Sequence, residues 1–261
     1  MSFVKTDQEV AEIESLLSKG QFTTESLTIE FKTTQEFLRK VLPPCFDLPD
    51  EPIAYANVSH WQSALCGEFD CGIIYLSCKY KGEAGTTMLT LFVSGDMPVT
   101  IGREMWGEGK KTGNARLYVD GHEVYAYAER NGVRLIEIQA ELGADLGPAQ
   151  NNVKDFELKA QPHTTGKGFQ NKVVLSCLDT AEDFRVTRQG TGMLKLAGTA
   201  VDPLDTIPVV EVGGVSYGEG ASCWTIPFWE ELDDGHDYRP YIYGQKYDDF
   251  RLFNKARRFI R

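Results

Sequence analysis

The sequence predicts a mainly β protein of the α+β kind, an antiparallel, barrel-like body with a few peripheral helices. Two observations carry this expectation. From about residue 73 to residue 200, short segments rich in β-branched and aromatic residues recur, separated by Gly, Asn and Asp. Helix-period patterning, by contrast, is confined to the stretch before Pro43-Pro44.

Taken in order, residues 7–19 place Val10, Ile13, Leu16 and Leu17 on one helical face, and Gly20 stops the run. Residues 25–31 (ESLTIEF) alternate as a strand does, and residues 34–42 read as a short helix closed by the prolines. Strand-like segments follow at 73–80, 86–93, 115–121, 123–129, 133–141, 155–162, 172–178 and 193–200, with Glu129-Arg-Asn-Gly132 as a hairpin turn. The chain is read as an N-terminal helix (1–19), one main domain (20–228) and a charged, aromatic extension (229–261) that packs on the body or on a neighbouring subunit.

With 261 residues, 42% of them hydrophobic, the chain can bury a sizeable core. Its 27 basic and 38 acidic residues give a net charge of -11, which repels phosphate backbones and anionic lipids, so neither nucleic acid nor membrane is an expected partner. The first residues are polar and acidic where a secretory signal needs an apolar run, and no stretch approaches a membrane span, so a cytoplasmic protein is expected. Six cysteines without a CxxC pair or clustered histidines signal neither zinc nor a disulfide framework. Gly213, Gly214, Gly218 and Gly220 are scattered among valines and form no phosphate loop, and no nucleotide, flavin or metal cofactor is expected.

The chemistry-bearing feature is Gly102-Arg-Glu-Met-Trp-Gly-Glu-Gly-Lys110-Lys111, two adjacent lysines behind a Gly-rich, aromatic turn just after an apolar strand. Adjacent lysines on a loop are by default a solvated pair. If one is buried beside another cation, both effects disfavour its ammonium form and leave an amine free to attack a carbonyl.

In this feature the chain resembles the acetoacetate decarboxylase family, whose pattern is Gly-Arg-Glu followed six residues later by Lys-Lys, as in Gly102-Arg103-Glu104 and Lys110-Lys111. Further likeness lies in Phe37 to Pro44, Asp50-Glu-Pro52, Arg116 to Asp120, Phe156 to Pro162 and Ala200 to Glu211, so that it runs from about residue 20 to about residue 228. The resemblance implies the family's double-cone β body, a Schiff base on Lys110 with Lys111 as its cationic neighbour, and a homo-oligomer. It places the family's second pocket glutamate at Glu68, the first near Asn57, and the pocket arginine near Thr24, so a carboxylate and a cation are replaced here. Glu108, two residues before Lys110, is a candidate proton relay; Arg103, Trp106 and His60 are candidate substrate contacts. The expected activity is decarboxylation of a β-keto acid or related keto compound through an imine on Lys110. Aldol, dehydration or cyclisation chemistry on the same imine, or a non-catalytic small-molecule binding module, are the alternatives.

Overall fold

The computed structural model describes residues 3–252; the basic end of the extension lies outside the described residues. Helix α1 (Asp7–Ser18) begins at Thr6, whose hydroxyl accepts from Glu9 N while the Glu9 carboxylate accepts from Thr6 N at 2.9 Å, a reciprocal cap. Strand β1 (Gly20–Lys32) leads to α2 (Gln35–Val41), capped by Thr34 and ended just before the prolines, and then to β2 (Ile53–Ser63), β3 (Gly67–Tyr80) and β4 (Glu83–Val93). After β4 comes α3 (Met97–Ile101), which runs into a π-helical turn, Gly102–Trp106, and the short β5 (Lys110–Thr112). The rest is β6 (Asn114–Asp120), β7 (Glu123–Arg130), β8 (Val133–Leu142), β9 (Ala149–Lys159), β10 (Val174–Leu196), β11 (Glu211–Glu231) and α4 (Arg239–Lys246).

Seven strands close on themselves in the order β11-β1-β2-β3-β4-β9-β10, because β10 pairs back to β11. All neighbours in the ring are antiparallel except β4 and β9, which meet in parallel at Thr86 and Asp155. Closure leaves the ring no free edge. The far part of β10, Gly190 to Leu196, pairs instead with β8, which continues through β7 to β6 as an outer sheet.

Strand alternation divides the side chains between two compartments. On β2, Ala54, Ala56 and Val58 face outward into a cluster with Ala126, Ala128 and Ile136 of the outer sheet, while Trp61 faces inward among Phe22, Phe69, Met88 and Leu91. The hairpin predicted at 129–132 joins β7 to β8, with Asn131 and Gly132 both at positive φ as a two-residue turn requires.

Two expectations need correction. Residues 172–178 and 193–200, read as separate strands, belong largely to the single strand β10, whose pairing with β11 carries two register shifts, at Cys177/Asp179 and Phe184/Val186, and which serves both sheets. The glycine-dotted segment from residue 211, not among the strand segments named from the sequence, is β11, the strand that closes the ring. Its glycines mark close approach: a Cβ on Gly220 would lie 2.2 Å from the Asp183 carbonyl oxygen. The compositional boundary at residue 229 falls inside this strand.

Where the outer sheet meets the ring, a Cβ on Gly72 would lie 2.2 Å from the Ala128 Cβ. A side chain there must push β7 off β3. Gly72→Val is expected to destabilise the chain by roughly 1–3 kcal/mol, from overpacking, in urea denaturation; an unchanged midpoint would contradict this packing of the two sheets.

Candidate active site

The lysine-bearing segment is shaped by two glycines. Gly102 opens the π-helical turn, and a Cβ there would lie 2.1 Å from Glu108 Oε2 and 2.7 Å from Lys110 Nζ. Gly107 ends the turn at φ 87° with its α-carbon against β9, where a Cβ would lie 2.6 Å from Lys159 backbone atoms. Only glycine meets both demands. Beyond it, β5 adds to β4 in parallel, Lys110 beside Leu91 and Lys111 beside Phe92.

Neighbouring residues on a strand face opposite sides, so the two lysines part company. Lys110 enters the ring, only 3% exposed, with Nζ 2.7 Å from Glu108 Oε2 and 5.7 to 6.0 Å from the ring centres of Trp106, Trp224 and Phe69. Lys111 points away into a buried ion cluster, 3.0 Å from both Asp202 Oδ1 and Asp248 Oδ1. Arg130 closes that cluster by pairing with the same two aspartates.

Lys110 and Glu108 share a chamber of about 340 Å³ to which all seven ring strands contribute. Around the lysine its wall is apolar, from Trp61, Phe69, Leu91, Val93 and Trp224. Elsewhere it is polar. The Asn57 amide donates to Ser26 and Thr28 at 2.8 Å and accepts from Ser59 at 2.7 Å, and Ser59 in turn accepts from Trp61 Nε1 at 2.8 Å. Glu108 is fully buried, and among the described residues neither of its oxygens has a directed hydrogen-bond partner, since the Lys110 contact lies off the bonding direction.

Two further carboxylates line the chamber, Asp155 and Glu182. Burial raises the Asp155 carboxyl to about 7, with the Glu108 and Glu182 charges acting in the same direction and a hydrogen bond from the Thr86 hydroxyl opposing them. Burial also raises Glu182. Just behind, Glu157 accepts from Met88 N at 2.9 Å and is held well above the usual carboxylate range by burial. Beside it the Lys246 ammonium of α4 is lowered to about 8, chiefly by burial. Among the described residues no three His, Cys, Asp or Glu side chains converge as metal ligands.

The sequence-predicted residues thus separate. Lys110, Glu108 and Asn57 meet at the chamber, with the Trp106 ring close to the lysine. Glu68 and His60 do not join them. Inward positions on β2 and β3 are the odd-numbered ones, such as Asn57, Trp61, Phe69 and Cys71, so Glu68 and His60 face outward, 3.3 Å apart, with His60 also 2.8 Å from Asp70. Arg103 lies over the Tyr247 ring at 5.0 Å, turned to the C-terminal segment. Thr24 is buried, with its hydroxyl unpartnered among the described residues. Sequence reasoning missed Asp155, Glu182, Lys246 and the aspartates that hold Lys111. An inward-facing acid at Asp155 was foreseeable from strand alternation in Asp155-Phe-Glu-Leu, where Phe156 and Leu158 belong to the outer cluster.

A closed seven-stranded ring with a buried lysine inside defines a class of lysine-centred β barrels. The chain matches the acetoacetate decarboxylase (ADC) family over residues 10–227 and belongs to that family. The acetoacetate decarboxylase of Burkholderia vietnamiensis is 24% identical over 201 residues, covering 72% of this chain and 78% of that protein. Among solved structures, acetoacetate decarboxylase from Legionella pneumophila superposes with a TM-score of 0.70 at 21% identity, covering 83% of this chain and 88% of that one. The enduracididine biosynthesis enzyme MppR, complexed with the condensation product of pyruvate and imidazole 4-carboxaldehyde, superposes with a TM-score of 0.68 at 19% identity, covering 83% and 90%.

A carboxyl raised by burial binds its proton more tightly folded than unfolded. Stability from Asp155 is therefore present below its unfolded value of 3.8 and lost as pH rises to about 7. Asp155→Asn removes that loss, so its stability relative to the native chain is expected to rise by roughly 2–4 kcal/mol between acid and mildly alkaline pH. Glu157 is present in both chains, and Lys246, lowered to about 8, titrates above most of this window. Denaturation curves of both proteins across the range check it, and parallel pH profiles would contradict the burial of this carboxyl.

Proposed function

We propose that the protein is a Schiff-base enzyme in which Lys110 condenses with the carbonyl of a keto substrate. The supporting observation is the position of Lys110: one amine inside a largely closed, apolar pocket, in contact with a carboxylate that has a free oxygen. Glu108 takes a proton from the Lys110 ammonium, and the freed nitrogen attacks the carbonyl carbon. The adduct loses water, with the proton for the leaving hydroxyl returned by Glu108, and becomes a protonated imine.

The imine nitrogen then accepts the electron pair of a breaking bond at the neighbouring carbon. In a β-keto acid the bond to the carboxylate breaks, carbon dioxide leaves, and the enamine takes up a proton at carbon before water releases the ketone and restores Lys110. The apolar wall favours this step, because a carboxylate losing its charge gains from leaving water. Membership of the acetoacetate decarboxylase family supports decarboxylation as the leading reading.

Aldol or dehydration chemistry on the same imine is the second reading, and one observation favours it. Besides Lys110, the chamber-lining groups that carry formal charge are acidic, Glu108, Asp155 and Glu182. They suit movement of protons at carbon and hydroxyl better than capture of a substrate carboxylate. The condensation product held by MppR is a precedent on this fold.

Borohydride trapping with pyruvate, acetoacetate and larger β-keto acids, followed by mass spectrometry with carbon dioxide measured in parallel, tests both readings. An adduct on Lys110 with gas release is expected for a decarboxylase, and an adduct without gas for aldol or dehydratase chemistry. Lys110→Ala is expected to lose adduct and turnover together; full activity in that variant would overturn the assignment. Gly102→Ala is expected to keep the fold and lose at least roughly a hundredfold in trapping rate, since misplacing reacting groups by about 1 Å costs that much.

A further inference from the structure

We propose that the end of the substrate remote from its carbonyl carries a positively charged amine, received by Asp155 and Glu182. The inference rests on Lys110 as the carbonyl-binding residue and adds the substrate class.

The argument is one of unbalanced buried charge. Three carboxylates line the chamber against a single cation, and that cation is already in contact with Glu108. Among the described residues neither Asp155 nor Glu182 has an ion-pair partner; Asp155 accepts only from the Thr86 hydroxyl, and Glu182 from Asn151 at 3.4 Å. Burial without a cation holds both carboxyls above their usual range, and a ligand that supplies the cation recovers the cost of their charged form. A substrate whose far end is itself a carboxylate would meet two like charges there.

Register places the acids along the chamber rather than at the lysine. Asp155 pairs with Thr86 and Lys110 with Leu91, five positions apart on β4 (91 − 86 = 5), or roughly 16 Å of strand at about 3.3 Å per residue. Glu182 lies opposite Asn151 on β9, four positions before Asp155 (155 − 151 = 4), and opposite Ser222 on β11, two positions before Trp224. It also borders an outer cleft lined by Gln21, Gln62 and Asn151. A second observation points to a donor-bearing ligand. Glu108, at the lysine end and fully buried on the chamber wall, keeps an oxygen with no partner among the described residues.

The test uses a set of methyl ketones of equal chain length ending in a methyl, a carboxylate or an ammonium group, trapped on the full-length protein with borohydride. The ammonium ketone is expected to half-saturate trapping at a concentration roughly tenfold to a hundredfold below the methyl ketone, the range of a charge-assisted hydrogen bond. Asp155→Asn and Glu182→Gln are each expected to shrink that ratio; Glu182, partly exposed, serves if the Asp155 variant does not fold. Equal or better trapping of the carboxylate ketone overturns the proposal. Binding of a simple alkylamine without a carbonyl, followed by calorimetry, separates this failure from that of the Lys110 reading. Amine binding that is lost in Glu182→Gln supports the cation site even where no ketone is trapped, and absence of amine binding overturns it even where small ketones are.

Discussion

The structure depends on keeping one lysine inside a closed β ring. An ammonium enclosed by Trp106, Trp224 and Phe69 would be expensive alone, and Glu108, 2.7 Å away and equally buried, supplies the compensating charge. That pair needs space no side chain can share, hence Gly102; the chain must then reverse against β9 without a side chain at the contact, hence Gly107 at positive φ. The π-helical turn between these glycines follows from the same demand. One extra residue per turn alters the exit direction, so that β5 leaves parallel to β4 with Lys110 pointing inward.

The second lysine belongs to a different problem. Lys111 sits among Asp202, Asp248 and Arg130, a cluster of two cations and two anions in which each charge meets two opposite ones. With its charge balanced there and its side chain on the opposite face of β5, it has no route into the chamber. Its cluster joins β5 to the end of β7, to the turn before residue 204 and to the segment after α4. Lys111 thereby anchors the strand on which Lys110 stands.

How much of this was legible in the sequence follows from the physics of each element. Helices α1 and α2 were, because caps and proline stops are local signals, and both end within a residue of expectation, whereas α3, the π-helical turn and α4 lie beyond the stretch to which helix patterning is confined. The β7–β8 hairpin was, because Asn131-Gly132 fixes its own turn. Ring closure was not: β11 carries glycines where its neighbours come close, which erases the alternation by which strands are read. At the site, Gly102 to Lys111 announced itself by spacing, whereas Glu68, placed by the family resemblance, and His60, placed by its strand beside Asn57, face outward by parity, a property set only when β2 and β3 fix which face turns inward. Glu182 and Asp248 have no local signature; they matter through partners dozens of residues away.

The C-terminal segment shows the same long-range logic. Gln245 packs over Gly109, where a Cβ would lie 3.1 Å from its own, and donates to the Met88 carbonyl at 3.1 Å. Lys246 is buried beside Glu157, and Asp248 completes the cluster around Lys111. Three residues near one turn thus touch β4, β9 and β5, the strand that carries the lysine pair. The described part of the charged, aromatic extension packs on the body, where it holds the lysine strand in place. Its charges are there because the strand they secure is itself charged.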